Sequence, residues 1–154
     1  LIVGTNDPYW VVDAMNLYWD DLEGGKFIRQ IPNAGHGLER GRDGALASLA
    51  VFCQHVGGGQ SLPELSWEFE ENGRQVTLEM STTAMPDTVR FWSARSEDND
   101  FRDAHWRSSE LEGNGSRWTG SAERSSADHV AVFGEFEFDF DGLPWSLTTL
   151  VYRR

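Results

Sequence analysis

Cysteine is nearly absent: Cys53 is alone in 154 residues, so no internal disulfide can form. Basic residues are scarce, with 13 Lys and Arg against 25 Asp and Glu and a formal net charge of -12. That balance argues against nucleic acid or an anionic membrane surface as partner, since both need a basic face. No apolar run approaches the roughly 20 residues of a membrane-spanning helix. No His, Cys, Asp or Glu group has metal-ligand spacing and no cofactor motif occurs, so neither metal nor cofactor is expected. The acidic run "SEDNDFRD" lacks the central Gly of a calcium loop and reads as a solvated turn. What the chain does have is apolar bulk, with 39% hydrophobic and 12% aromatic residues, enough for a packed core.

The hydrophobic period changes along the chain. In the first part Leu1–Val3 reads as a strand and residues 9–22 as a helix, with Val12, Met15, Tyr18 and Trp19 at helical spacing, Leu17 at its flank and Gly24-Gly25 as its stop. "KFIRQIP" reads as a second strand. Ala45, Leu46, Leu49, Ala50, Phe52, Cys53 and Val56 define the apolar face of a second helix, stopped at Gly57–Gly59, with Cys53 as a small buried hydrophobe. This βαβα rhythm predicts a parallel sheet, but two strands are too few to close one. From Glu64 onward the period is two. Leu65, Trp67 and Phe69 share a face, as do Val76, Leu78 and Met80, with Asn72-Gly73 as a hairpin signal between them. Val130, Val132, Phe136, Phe138 and Phe140 share another, with Gly134 as a bulge. Further strands around Trp92, Trp106, Trp118 and Leu147 bring the total to seven. The expected fold is thus an α/β fragment over 1–60, the last βαβα of a parallel sheet. An all-β antiparallel sandwich of immunoglobulin or fibronectin III type follows over 63–154, joined by "GGGQSLP".

Asp7 follows the first strand directly, and His36 lies just beyond the second, in "IPNAGHGLERG". Loops at the carboxyl ends of adjacent parallel strands converge, so these two residues can meet. An Asp that accepts a hydrogen bond from imidazole fixes its tautomer and stabilises the imidazolium, and Gly35 and Gly37 free the loop that carries the ring. The alternative is that Asp7 caps the helix after it, as Asp before Pro often does. Tyr9 and Trp10 can wall a substrate pocket beside Asp7 or pack at the helix entry.

The segments "VGTNDPYWVVDAMNLYWDDL", "IPNAGHGL" and "FWSARSEDNDFRDAHW" resemble the PhoPQ-activated pathogenicity-related protein family. The order strand, "GTND", helix, strand, "PNAGHGL", helix is also similar to the last two βα units of an α/β-hydrolase, whose triad runs Ser, then Asp or Glu, then His. The resemblance implies a hydrolase-like domain followed by a β-rich domain, periplasmic or secreted, with Asp7 as triad acid and His36 as general base. No Gly-x-Ser-x-Gly elbow occurs in the chain. The expectation is therefore a C-terminal portion of a serine hydrolase cleaving an ester or peptide bond in a small-molecule or peptide substrate. A missing N-terminal half would carry the Ser, and the chain alone would be inactive. The alternative is a non-catalytic extracellular binding or signalling protein on the same scaffold.

Overall fold

A computed structural model describes residues 1–154. Its elements are β1 (Ile2–Gly4), a single 3₁₀ turn (Ala14–Leu17), β2 (Arg29–Ile31), α1 (Arg42–Gly57), β3 (Leu65–Asn72), β4 (Gln75–Thr82), β5 (Thr88–Ser96), β6 (Arg107–Glu110), β7 (Arg117–Glu123), β8 (His129–Phe140), β9 (Leu143–Thr148) and β10 (Tyr152–Arg153).

β3, β4 and β7 form one antiparallel sheet; β6, β5, β8 and the β9/β10 edge form the other. β9 and β10 pair with opposite ends of the same edge of β8, so they are one strand interrupted at Thr149–Val151. The interruption is held by Thr149, whose N–H donates to Gly134 O at 2.9 Å and whose hydroxyl accepts the Gly134 N–H at 3.0 Å. The two-residue turn at Gly73-Arg74 closes the β3–β4 hairpin, one residue later than the Asn72-Gly73 signal, with Gly73 at φ 61°.

Alternation places Val76, Leu78 and Met80 of β4 and Trp118 of β7 against Val89, Phe91, Val130, Val132, Phe136 and Phe138, the inner core of the sandwich. Gly134 lies within the regular β5–β8 ladder and is no bulge. A Cβ there would stand 2.1 Å from Met80 Sδ, so the glycine makes room for a side chain of the facing sheet.

The expected α/β fragment is corrected by the structure, which is mostly β, with one α-helix and two antiparallel sheets. Parallel pairing is confined to β1 and β2, three residues each. Residues 9–22 do not form a helix but a run of turns around the 3₁₀ turn. Of the residues at helical spacing, Val12, Met15 and Trp19 are buried, whereas Tyr18 and the flanking Leu17 are exposed. Tertiary contacts replace the helical ladder: Asn16 Nδ2 donates to Val151 O at 2.8 Å and Asp13 pairs with Arg153 at 2.9 Å. α1 forms as expected but faces the other way. It buries Ala45, Ser48 and Val51 against β9, with Ser48 Oγ donating to Ser146 O at 3.1 Å. Leu46, Leu49, Phe52, Cys53 and Val56 are left exposed, so Cys53 is not a buried hydrophobe.

The first part packs on the outer face of the larger sheet. Val12 joins Ala94, Phe101, Trp106, Ala131, Phe133 and Val151 in a second core on that face. β2 meets the end of β9, where Thr148 N donates to Ile28 O at 2.8 Å and Thr148 Oγ1 accepts the Gln30 N–H at 3.0 Å. Between them Arg29 of β2 pairs with Glu135 of β8 at 2.5 Å, and Glu135 also accepts the Trp92 indole N–H at 2.6 Å. Burial pushes the Glu135 carboxyl up, but the Arg29 charge and the Trp92 bond outweigh it and hold it below the ordinary range.

Removing one partner of such a pair strands a buried charge. Glu135→Ala is expected to cost about 3–5 kcal/mol of unfolding free energy, read by urea denaturation. A cost below about 1 kcal/mol, the value of an exposed pair, would mean that water reaches the pair.

Candidate functional site

β1 ends at Gly4, where a Cβ would stand 2.3 Å from Ala34 O and 2.5 Å from Gly35 O. Only glycine permits this approach, which brings the turn after β1 under the loop after β2. Thr5 N donates to Ile31 O at 3.0 Å and Asn6 N to Ala34 O at 2.9 Å, so the two loops are zipped together beyond the last residues of the strands. The turn of the second loop is made at Asn33 (φ 57°) and Leu38 (φ 56°); Gly35 and Gly37 do not adopt positive φ. Asn tolerates the left-handed region.

Asp7 and His36 meet, with Asp7 Oδ2 2.8 Å from His36 Nδ1. The other carboxylate oxygen, Oδ1, accepts the Tyr9 N–H at 2.8 Å and the Trp10 N–H at 3.1 Å. The capping role and the pairing role weighed for Asp7 therefore coexist, one on each oxygen, although the capped turn does not continue as a helix. Asp7 is buried, whereas the His36 side chain is 57% exposed. Burial pushes the Asp7 carboxyl up, but the Tyr9 N–H, His36 and the Trp10 N–H outweigh it, and Asp7 titrates below the usual carboxylate range. An ionised carboxylate only accepts, so Nδ1 carries the proton of neutral His36 and the Nε2 lone pair faces outward. No hydrogen bond engages Nε2.

Tyr9 is 76% exposed and sets its ring edge-on to the imidazole, with centroids 5.2 Å apart and planes at 82°. Trp10 is 58% exposed and reaches the pair only through its backbone N–H. Neither is core, and neither lines any of five surface cavities of about 210–460 Å³. The most apolar of these, about 270 Å³, is lined by Leu1, Phe27, Leu49, Phe52 and Leu147, beside the start of β1 and away from His36. The pair thus stands on an open surface. No group of three or more His, Cys, Asp or Glu side chains is arranged to hold a metal.

Sequence reasoning missed Asn6 and Asn33, one residue before Asp7 and three before His36. Their amides bond the backbone of residues 101–106, far away in sequence. A polar residue with left-handed tolerance beside each candidate was the sole signal.

An Asp held below its unfolded value contributes stability above the unfolded range that is lost as pH falls through the folded value. Asp7 and Glu135 both follow this sign. The melting temperature is expected to stay level from pH 7 to about 5 and to fall below about 4, the unfolded carboxylate range. The fall should be shallower in Asp7→Asn. Calorimetry checks this, and an unchanged acid slope in the variant would remove Asp7 as a contributor.

Among solved structures the chain is similar to a carbohydrate-binding module family 56 β-1,3-glucan binding domain, at 11% identity and TM-score 0.40 over 59% of this chain and 98% of that one. It is also similar to a Br derivative of BhCBM56 (14%, TM-score 0.42, 62% and 95%). A third similar structure is R. palustris CsgH in solution (16%, TM-score 0.31, 56% and 91%). No curated protein matches the chain. Residues 1–102, which carry β1, β2, the Asp7–His36 pair and the first strands of the sandwich, match the PhoPQ-activated pathogenicity-related protein family. On that match, spanning well over half its length, the chain belongs to the PhoPQ-activated pathogenicity-related protein family.

Proposed function

We propose that the chain supplies the acid and the base of a serine-hydrolase-type triad that cleaves an ester or peptide bond outside the cytoplasm. The observation that carries this reading is the 2.8 Å contact between a buried, ionised Asp7 and Nδ1 of an exposed His36 whose Nε2 is unoccupied. As the nucleophile's hydroxyl oxygen attacks the substrate carbonyl, Nε2 takes the hydroxyl proton. Asp7 stabilises the resulting imidazolium without itself taking a proton. The imidazolium then gives that proton to the leaving oxygen or nitrogen, and an attacking water repeats the cycle to release the acid.

No serine, threonine or cysteine bonds His36. In this proposal the nucleophile and the oxyanion donors come from a partner segment outside these 154 residues. Its docking face is the exposed stripe Leu46, Leu49, Cys53 and Val56 of α1 together with the free edge of β1.

The 154-residue chain alone is expected to hydrolyse p-nitrophenyl acetate no faster than free imidazole. Joined to a partner segment that carries the serine, it should gain turnover sensitive to serine reagents. Asp7→Asn should then lower kcat by roughly 10⁴-fold, and His36→Ala at least as much. A completed protein with no such activity, or with activity that survives His36→Ala, would sink the catalytic reading in favour of a non-catalytic extracellular binding or signalling role.

A further inference from the structure

We infer that Asn6 and Asn33 are positioning residues that lock the loops carrying Asp7 and His36 to the 101–106 loop of the sandwich, making that loop part of the site. The functional meaning rests on the triad reading above; the geometry does not.

Asn6 Nδ2 donates to Arg102 O and Ala104 O at 2.8 Å, with Phe101 O at 3.4 Å as a weaker third acceptor. Asn33 makes a reciprocal pair with one residue, its Nδ2 donating to Trp106 O at 3.0 Å and its Oδ1 accepting the Trp106 N–H at 2.8 Å. The fully buried Thr5 hydroxyl joins the two amides, accepting the Asn33 N–H at 2.9 Å and donating to Asn6 Oδ1 at 2.9 Å. Asn6 adjoins Asp7, and Asn33 opens the turn that presents His36.

The receiving loop is itself rigidly based. Trp106 is 1% exposed and packs on Phe133 of β8 at 5.2 Å and on Phe101 at 6.4 Å. A continuous path of packed rings and paired amides therefore runs from the central strand to the acid and the base. Orienting an imidazole needs restraint well below an ångström, which isolated surface loops do not provide. Only the Asp7 half of the pair is buried, and the imidazole, more than half exposed, is not held in place by packing of its own. Restraint must come from the loops.

The test is ¹⁵N NMR of the His36 ring in the 154-residue chain. The wild type should show mainly the Nδ1–H tautomer. Asn33→Gly suits the positive φ and removes only the amide; Asn6→Ala removes the other donor. Each should lower the Nδ1–H fraction, return Asp7 toward ordinary carboxylate titration and speed Nδ1–H exchange at least about tenfold. Val132→Ala, which loosens the inner core without touching the latch, should leave all three unchanged. In the wild type the Trp106 amide and the His36 Nδ1–H should open as one unit, a measurement that needs no variant. Folded Asn variants with wild-type His36 signals, or independent opening of Trp106 and His36, would overturn the inference. It fails or stands separately from the triad reading, which turns on whether His36→Ala removes activity in the completed protein.

Discussion

β8 is buried on both of its faces, and the rest of the structure follows from that. Val130 through Phe136 are all inaccessible to solvent. In a two-sheet sandwich one face of each sheet packs on its partner and the other can be wet. Here the outer face carries Ala131, Phe133 and Glu135, and something must cover it. The first sixty residues and the 98–106 loop do so, through Val12, Phe101 and Trp106. Covering a side chain such as Phe133 stabilises by about 1.5–3 kcal/mol, whereas a buried ion pair roughly breaks even against apolar side chains of similar size. The driving force is therefore apolar, and the Arg29–Glu135 pair joins β2 to β8 beneath that cover.

That arrangement explains why the candidate site lies where it does. β2 can reach Thr148 and Glu135 only if β1 and β2 lie along the sheet edge. Their carboxyl ends then meet the 101–106 loop. Asp7 and His36 approach each other because Gly4 lets two backbones close to a distance that forbids a Cβ. The carboxylate divides its oxygens, one to two backbone N–H groups and one to the imidazole. The backbone bonds and the imidazole together keep it ionised despite burial.

Much of this was legible in the sequence, and the failures share a cause. Period-two alternation located Leu65, Trp67 and Phe69, Val76, Leu78 and Met80, and the even-numbered face of β8 correctly, because a strand's facing is set by its own pleat. Sequence order along two parallel strands placed Asp7 opposite His36. The 9–22 segment was misread because spacings of three and four mark any backbone that returns every third or fourth residue to one surface. Here the bonds at Asp13 and Asn16 go to the β10 end of the sheet and not to a helix of its own. The facing of α1 was misread because the wider apolar stripe was assigned to the core. Asn6 and Asn33 were not legible as a pair, since their partners lie at residues 101–106 and only their polar character beside each candidate hints at them.

The reversed helix bears on how the protein is built. α1 approaches β9 through Ala45, Ser48 and Val51, small or slender side chains that allow a Ser48–Ser146 contact in both directions at 3.1 and 3.2 Å. Large side chains on that face would hold the helix away from β9 and break those bonds. The bulk accordingly sits opposite, where Leu46, Leu49, Cys53 and Val56 recur at spacings of three and four and form a continuous ridge on one side of the helix. Apolar residues scattered singly over a surface are ordinary, whereas a contiguous ridge is a less common arrangement. The helix is thus two-sided, with a close polar contact to the sandwich on one side and an exposed apolar ridge on the other.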